Sequence, residues 1–544
     1  MTNVPTEKKV LPKAHKSSGM AKAALIVMSS IVLSRITGFL REMLIAYKIG
    51  VNAFSDAYVI GFTIPDLMYN LLVGGAISAA LIPFLSGHIE RGEEKKGWKA
   101  ASTFINIIFA GIMILSCLGM IFAPKILPLY NQQYVHQTPD MQQLTVSVTR
   151  TLFPSVAFLM LAAICTGVLN SYKKFAAAAY GPTIYNLGSI VSIMLFGAPD
   201  TAGIKKVAMG VAASAAIYFV FQFLSSYKEI VNYRPLLNIR DRGFKNLFGQ
   251  AIPSILSSSV VQINVIISTY FVSKFETGSI AAFRNANTTW QLPYGIFAMG
   301  IGTAMLPTLS RKLAVGDVGE YRSILMKSLK TVLFLSTPSA VAFIMLRYDI
   351  IRAIFSWGGQ FRQNDVVHVA RILMVFSVAM ITQSIVATMN RGFYAASDTK
   401  TPLLVGVSTV MLNYLLGFIF TNYTQMKAEG MALSYSIIST INAILLLLIL
   451  NKKMKGIQLR KFAQFLLKAI PASLAMCGVL YLMNGLSGGI HSKVLQLIYL
   501  TFEISAGAIV YFFIMLYFKS EEAVYFLKAI GRKLDSISNK KNSG

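Results

Sequence analysis

The chain has 544 residues, a net charge of +28 and a mean hydropathy of +0.60, and only 13% of its residues are charged. Soluble domains carry about 25% charged residues, so the composition excludes an ordinary soluble protein. Apolar runs of roughly 20 residues, the length of a membrane-spanning helix, recur along the whole chain. They lack the period-two alternation of a membrane β-barrel. The composition therefore predicts an all-α polytopic membrane protein.

Fourteen apolar segments are long enough to span a membrane. They are predicted near residues 20–48, 54–88, 98–123, 140–171, 176–198, 203–226, 246–273, 278–310, 323–346, 367–393, 402–421, 429–450, 462–485 and 494–518. Lys and Arg gather in alternate loops, in clusters such as Arg91/Lys95/Lys96 and Lys452/Lys453/Lys455. Because basic loops stay in the cytoplasm, we expect a multi-pass protein with both termini cytoplasmic. The positive charge then faces anionic membrane lipids, and nucleic acid is not expected as a partner.

Two motifs recur at nearly one spacing. The heptapeptide 80–86 (ALIPFLS) returns as 304–310 (AMLPTLS), and the pair Asn170/Pro182 returns as Asn390/Pro402. Parallel repeats of this kind are one plan of membrane transporters. We therefore expect two pseudo-symmetric six-helix lobes, residues 20–226 and 246–450, joined by a cytoplasmic linker, 227–245. Helices 13 and 14 (451–519) lie outside the repeat, and cytoplasmic tails cover 1–19 and 520–544.

Charged side chains interrupt the first two predicted helices. Arg35, Arg41, Glu42 and Asp66 lie inside apolar runs, where a charge costs at least about 2.5–3.5 kcal/mol on insertion scales. Arg35 and Glu42 share a helix face but are two turns apart, too far to neutralise each other as a close pair. We therefore expect Arg41 to keep its charge toward a cavity, where its guanidinium fork suits phosphate. The alternative is an ion pair of Arg41 with Glu42, Asp66 or Asp56.

The eighth predicted helix is unusually polar for membrane depth. Its stretch 284–293 reads RNANTTWQLP, and a polar stripe facing water is favoured over exposure to lipid. Arg284 is the candidate substrate-binding cation of the second lobe. The candidate cavity or gating residues are Glu42, Asp56, Asp66, Asn287 and Gln291.

No catalytic or metal site is predicted. Cys117, Cys165 and Cys477 lie in apolar runs without the spacing of metal ligands. There is no glycine-rich phosphate loop of the Walker type. We therefore expect a transporter rather than an enzyme, without a cofactor. Membrane potential, protons and sodium all stay open as energy sources.

The chain resembles the MurJ (MviN) family, the lipid II flippases of the MOP exporter superfamily. The resemblance covers essentially the whole chain and is carried by the stretches 34–42 (SRITGFLRE), 55–58 (SDAY), 64–65 (IP) and 75–83 (GAISAALIP). It implies fourteen helices in two lobes plus a C-terminal pair that guides a lipid tail. It assigns Arg35 and Arg41 to a diphosphate, and it matches Asp56 to the acid that begins the second helix.

The function implied by this resemblance is the translocation of an undecaprenyl-diphosphate-linked glycan, above all lipid II for peptidoglycan synthesis. The substrate would move from the inner to the outer leaflet of the bacterial cytoplasmic membrane by alternating access. Cell-wall synthases are possible partners.

Two positions depart from the family pattern. An arginine that follows the second-helix proline is replaced here by Tyr69-Asn70. An arginine and an acid that precede the helix-eight proline are replaced by Thr288 and Gln291. Arg284 lies one turn before Thr288 on nearly the same face and could take over its role. The departures leave the glycan head group open.

Three other functions compete with this interpretation. The first is a flippase for another lipid-linked polysaccharide. The second is a MATE-like drug or cation antiporter, which needs acidic binding residues, whereas the intramembrane excess here is basic. The third is a non-transporting scaffold for cell-wall synthases, in which the cavity arginines would be dispensable.

The topology can be tested by labelling single cysteines from outside intact cells. A cysteine at Asn52 or Ser487 should react with an impermeant thiol reagent, and one at Gly92 or Lys453 should not, because the basic loops are cytoplasmic. Labelling at Gly92 would contradict the predicted orientation.

Overall fold

A computed structural model describes residues 17–485 and 492–528. Most of the two predicted tails, and Ser487, lie outside the described residues. Every regular element within these ranges is helical, as the sequence predicts.

Fourteen long helices of the described residues match the fourteen predicted spans in order. They are α1 (Ser17–Lys48), α2 (53–90), α3 (Glu94–Tyr130), α4 (Pro139–Ser171), α5 (Phe175–Phe196), α6 (Thr201–Ser226), α7 (Arg242–Val272), α8 (Ser279–Ala314), α9 (Val318–Met345), α10 (Gln363–Ala395), α11 (Lys400–Tyr423), α12 (Ala428–Lys453), α13 (Leu459–Asn484) and α14 (Lys493–Tyr517). Short helices in the connections are Gln132–His136, Ile230–Asn232 and Arg347–Phe355. By length and composition alone, 11 of the described helices could cross a membrane, and the chain is a polytopic membrane protein.

The connections between consecutive helices gather at two ends of the molecule. The end that holds the basic loops, here the basic end, is tied together by Lys173 and Glu90, whose Nζ and Oε1 atoms are 3.0 Å apart. At the opposite end, Gln132 donates its backbone N–H to Ser273 Oγ at 2.8 Å. The connection between α2 and α3 therefore meets the connection between α4 and α5 at the basic end.

Helix packing in the first half of the chain recurs in the second half. In the first half, α1 packs on α5, α2 on α4, and α6 on both α4 and α5. Six helices later, α7 packs on α11, α8 on α10, and α12 on both α10 and α11. We call α1–α6 the first half and α7–α12 the second half. Outside them, α13 and α14 pack on each other and on α9.

Helices α2 and α8 each contain a π-helical segment in their middle. These segments are Leu71–Leu81 and Gly295–Met299. Their first residues are separated by the same number of positions as the repeated heptapeptides 80–86 and 304–310. Glycine and proline, which favour bends in membrane helices, lie at these places: Gly74-Gly75 lies inside the first segment and Pro293 lies just before the second. Pro154, Pro182 and Pro253 lie instead inside continuous α-helices. Because π turns interrupt regular hydrogen bonding and are frequent at functional sites, these two segments mark the helices that line the site.

Close packing of α5 on α6 depends on Gly181. A β-carbon at this position would lie 2.1 Å from Tyr218 Cε2 and 2.2 Å from Gln222 Nε2. Gly181→Ala should therefore lower the free energy of unfolding by about 1–3 kcal/mol through overpacking, measured as a lower thermal midpoint in detergent. Gly111→Ala in α3 is the matched control, since a β-carbon there has no neighbour within 4 Å. Equal midpoints for the two variants would contradict this packing.

Candidate functional site

Two arginines from different halves of the molecule share one carboxylate. Arg41 Nη2 lies 2.8 Å from Glu42 Oε1, and Arg284 donates from Nη2 to the same oxygen at 3.1 Å. Arg284 Nε also donates to Glu42 Oε2 at 3.2 Å. Glu42 is only 4% exposed. The ion pair named as the alternative for Arg41 is therefore present in this conformation, and it includes Arg284. We call these three residues the triad.

Arg41 is held by further contacts to α5. Its Nη1 donates to Asn186 Oδ1 at 3.4 Å, and its guanidinium carbon lies 6.0 Å from the centre of the Tyr185 ring. Asn186 in turn donates to the Ser34 carbonyl oxygen at 3.1 Å. These contacts keep the guanidinium in the interior, where its Nε has no hydrogen-bond partner among the described residues.

The three residues of the triad together carry a net charge of +1, and Asp66 lies within electrostatic range of both arginines. Glu42 lies six residues before the end of α1, and Arg284 lies five residues after the start of α8, so both are about 8–9 Å inside the opposite end. A buried charge without a full counter-charge is costly. An anion that reached the triad would therefore be attracted to the two guanidinium groups, in competition with Glu42.

Asp56 joins the two halves at the opposite end. Its side chain in α2 accepts the backbone N–H of Gly278 at 2.6 Å and that of Ala281 at 2.8 Å. Gly278 immediately precedes α8 and Ala281 lies in its first turn, where N–H groups lack partners within the helix and favour a negative charge. Asp56 therefore caps a helix of the second half from the first half.

Two glycines allow backbone to meet backbone across the same junction. The N–H of Gln360 donates to the Tyr47 carbonyl oxygen at 2.8 Å. A β-carbon on Gly359 would lie 2.1 Å from that oxygen, and one on Gly50 would lie 2.8 Å from the Gln360 carbonyl oxygen. Together with the Asp56 cap, these contacts close the opposite end, and we call them the junction.

The other predicted site residues do not join the triad. Arg35 lies two turns away toward the basic end; it is exposed, and it forms no hydrogen bond or ion pair within the described ranges. Asp66 lies within electrostatic range of Arg284 and Arg41 without bonding to either. Asn287 accepts a hydrogen bond from Trp290 Nε1 at 2.9 Å, and Gln291 is half-buried. Their predicted roles in the cavity stay predictions.

Sequence reasoning did not single out Asn186 or Arg391. The one feature of the sequence that points to Asn186 is its position four residues after Pro182, which belongs to the recurring Asn/Pro pair. Arg391 lies close to the end of its predicted span, where a basic residue is ordinarily assigned to the membrane surface. In the structure it lies beside Gly302 of α8.

The family model described as "Lipid II flippase MurJ" matches residues 45–501. The chain belongs to the MurJ family. The match begins after Arg35 and Arg41 and therefore does not test the first-helix motif. Curated relatives include a lipid II flippase MurJ of Burkholderia cenocepacia, 26% identical over 85% of this chain and 89% of its own length. A probable lipid II flippase MurJ of Buchnera aphidicola is 28% identical over 91% of this chain and 97% of its own length.

Solved structures agree with this assignment. A lipid II flippase MurJ in an inward closed conformation superposes with a TM-score of 0.75 at 27% identity, covering 93% of this chain and all of that one. An inward-facing MATE multidrug transporter of the MOP superfamily reaches a TM-score of 0.66 at 15% identity, covering 80% of this chain and 99% of that one. The MATE likeness shows a shared fold. The predicted MurJ family and all-α membrane fold are therefore confirmed.

The junction can be tested by measuring its opening directly. Gly359→Ala should move the population toward a wider opposite end, because the added carbon collides with a carbonyl oxygen. Spin labels on cysteines at Thr201 and Gln363, both exposed at that end, report the separation by pulsed electron resonance in a chain lacking Cys117, Cys165 and Cys477.

Asp56→Asn should act in the same direction, since an amide cannot accept both N–H groups as a carboxylate does. Gly111→Ala is the control, because a β-carbon there meets no atom within 4 Å. Unchanged distances in both variants would contradict the role of these contacts in closure.

Proposed function

We propose that this protein moves lipid II across the cytoplasmic membrane by alternating access of a cavity between its two halves. The observation that carries the proposal is the triad, in which two arginines from different halves share one carboxylate. A diphosphate offers more acceptor oxygens and more negative charge than Glu42, and it suits two guanidinium forks. The names of the relatives support lipid II as the carrier of that diphosphate.

The sign of the charge separates this proposal from a cation antiporter. A hydrophobic cation needs a free carboxylate. Glu42 is bonded to two arginines and Asp56 to two backbone N–H groups, and Asp66 lies within electrostatic range of both Arg41 and Arg284. Arg35 adds a further positive charge without a carboxylate partner. Like charges repel a cation strongly where the dielectric constant is low. The site therefore favours an anion.

The triad also suggests how binding and opening are coupled. Arg284 binds Glu42 across the two halves, so a diphosphate that takes over both arginines replaces this bond. Loss of that bond leaves the junction and the apolar contacts between the halves to hold the opposite end closed. A ligand shifts the equilibrium between the closed and the open junction only through a difference in its affinity for the two conformations. The exchange of Glu42 for a diphosphate supplies such a difference.

Several finer features belong to the same proposal. The two halves act as lobes with the boundaries predicted from the sequence, although α7 begins at Arg242, before residue 246. The basic end faces the cytoplasm, and the junction therefore closes the outer side. Helices α13 and α14 guide the polyprenyl tail. The protein is a transporter and not an enzyme. Its association with cell-wall synthases stays a prediction, and the coupling ion stays open.

The proposal is tested by complementing cells depleted of their own lipid II flippase. Arg35→Ala and Arg41→Ala should abolish rescue, because each charge-assisted contact to phosphate contributes roughly 1.5–3 kcal/mol. Arg41→Lys should rescue partly, since it keeps the charge and loses the fork. Arg284→Ala should also be severe, because Arg284 is the triad's cation from the second half.

Protein abundance in the membrane separates binding from structure. Lost rescue at normal abundance supports a phosphate contact, whereas lost protein indicates a structural ion pair. Arg371→Ala is the control, because Arg371 is exposed on α10 and should rescue fully. Full rescue by both first-helix alanine variants would favour the scaffold, and tighter binding of a hydrophobic cation than of lipid II would favour the antiporter.

A further inference from the structure

Arg391 places a second unpaired cation beside helix α8. A β-carbon added at Gly302 would lie 3.4 Å from Arg391 Cγ and 3.7 Å from its Nε, so the side chain lies along the space that this glycine leaves. The residue is half-buried. It forms no hydrogen bond or ion pair with another residue of the described ranges.

Arg35 approaches the same helix from the first half. A β-carbon at Gly295 would lie 3.7 Å from Arg35 Nε and 3.9 Å from its Cζ. Tyr294 lies within electrostatic range of both Arg391 and Arg35. The two guanidinium groups therefore approach α8 at points seven residues apart, roughly 10 Å along the axis, one from each half of the molecule.

Arg35 also lines a cavity that reaches toward the basic end. The cavity has a volume of about 340 Å³ and is bounded by α1, the end of α4 and the start of α5, with Ser34 and Asn170 among its polar lining residues. That size falls within the range of small-ligand sites. An anion entering from the basic end would meet Arg35 before it met the triad.

The four arginines thus form two sets along α8. The first set, Arg391 and Arg35, approaches α8 beside Gly302 and Gly295, nearer the basic end. The second set, Arg41 and Arg284, lies nearer the opposite end. The first set has no carboxylate partner, whereas Arg41 and Arg284 are bonded to Glu42. An incoming anion can bind the first set without displacing any group of the protein.

We propose that Arg391, with Arg35, binds the diphosphate of the substrate first, before it passes to Arg41 and Arg284. This inference rests on the proposed function and adds a residue of the second half to its binding site. Two guanidinium forks neutralise a diphosphate better than a monophosphate, because a diphosphate has more charge and more acceptor oxygens. Arg391 therefore contributes to the preference for a diphosphate.

A structural role for Arg391 makes a different prediction. The residue lies four positions before the end of α10, where a positive charge interacts favourably with the helix dipole. Loss of that interaction would lower stability. It would leave the ratio of affinities for diphosphate and monophosphate unchanged.

The test uses the full chain in lipid nanodiscs, titrated with undecaprenyl diphosphate and with undecaprenyl monophosphate, with bound lipid counted by native mass spectrometry. Arg391→Gln should weaken diphosphate binding about tenfold or more and monophosphate binding much less, so that discrimination falls. Arg391→Lys should restore part of it. Arg371→Gln, the same change at an exposed position of the same helix, should leave both affinities unchanged.

Each outcome is decisive. If the unmodified protein prefers the diphosphate and Arg391→Gln keeps that preference, the inference is overturned and the proposed function stands. This holds even if Arg391→Gln lowers the thermal midpoint. If the unmodified protein does not prefer the diphosphate, the proposed function itself fails. If Arg391→Gln is too unstable to purify, Arg391→Lys decides: a reduced preference at normal stability supports binding, and an unchanged preference overturns it.

Discussion

The structure depends on one electrostatic constraint, two arginines sharing a single carboxylate across the two halves of a membrane protein. Removing charges from water is expensive, and an ion pair offsets this cost only when its geometry is good. Glu42 meets this condition with hydrogen bonds to both Arg41 and Arg284. The three groups together carry one net positive charge, and Asp66, which bonds to neither arginine, lies within electrostatic range of both.

The junction shows how the halves can meet tightly and still be separable. Asp56 caps the first turn of α8, and Gly359 and Gly50 let carbonyl oxygens approach where any other residue would collide. These polar contacts lie beside an apolar cluster that also joins the halves, in which Ala46 and Ile60 belong to the same core as Ile280 and Phe355. The hydrogen bonds of the junction contribute only about 0.5–1.5 kcal/mol each net.

Helices α2 and α8 take equivalent places in the repeat and carry different chemistry. Both contain a π-helical segment beginning at the same point of the repeat. Yet α2 contributes the acids Asp56 and Asp66, and α8 contributes Arg284 and the glycines beside Arg35 and Arg391. The repeat therefore supplies the shared shape of these two helices, and its divergence supplies their opposite charges.

The membrane class, the fourteen helices and the repeat could all be predicted from the amino-acid sequence, which also made Arg35, Arg41 and Arg284 candidates for binding an anion. Each of these follows from apolar run length, from recurring motifs or from charges placed where water is scarce, all of which are local properties of the chain. Only the tertiary structure decided which charges meet. Glu42 and Arg284 are far apart in sequence, so no spacing rule predicts their bond, and the same holds for Asp56 and the first turn of α8. Arg391 could not be identified from its span, because its significance comes from a glycine on another helix that leaves room for its side chain.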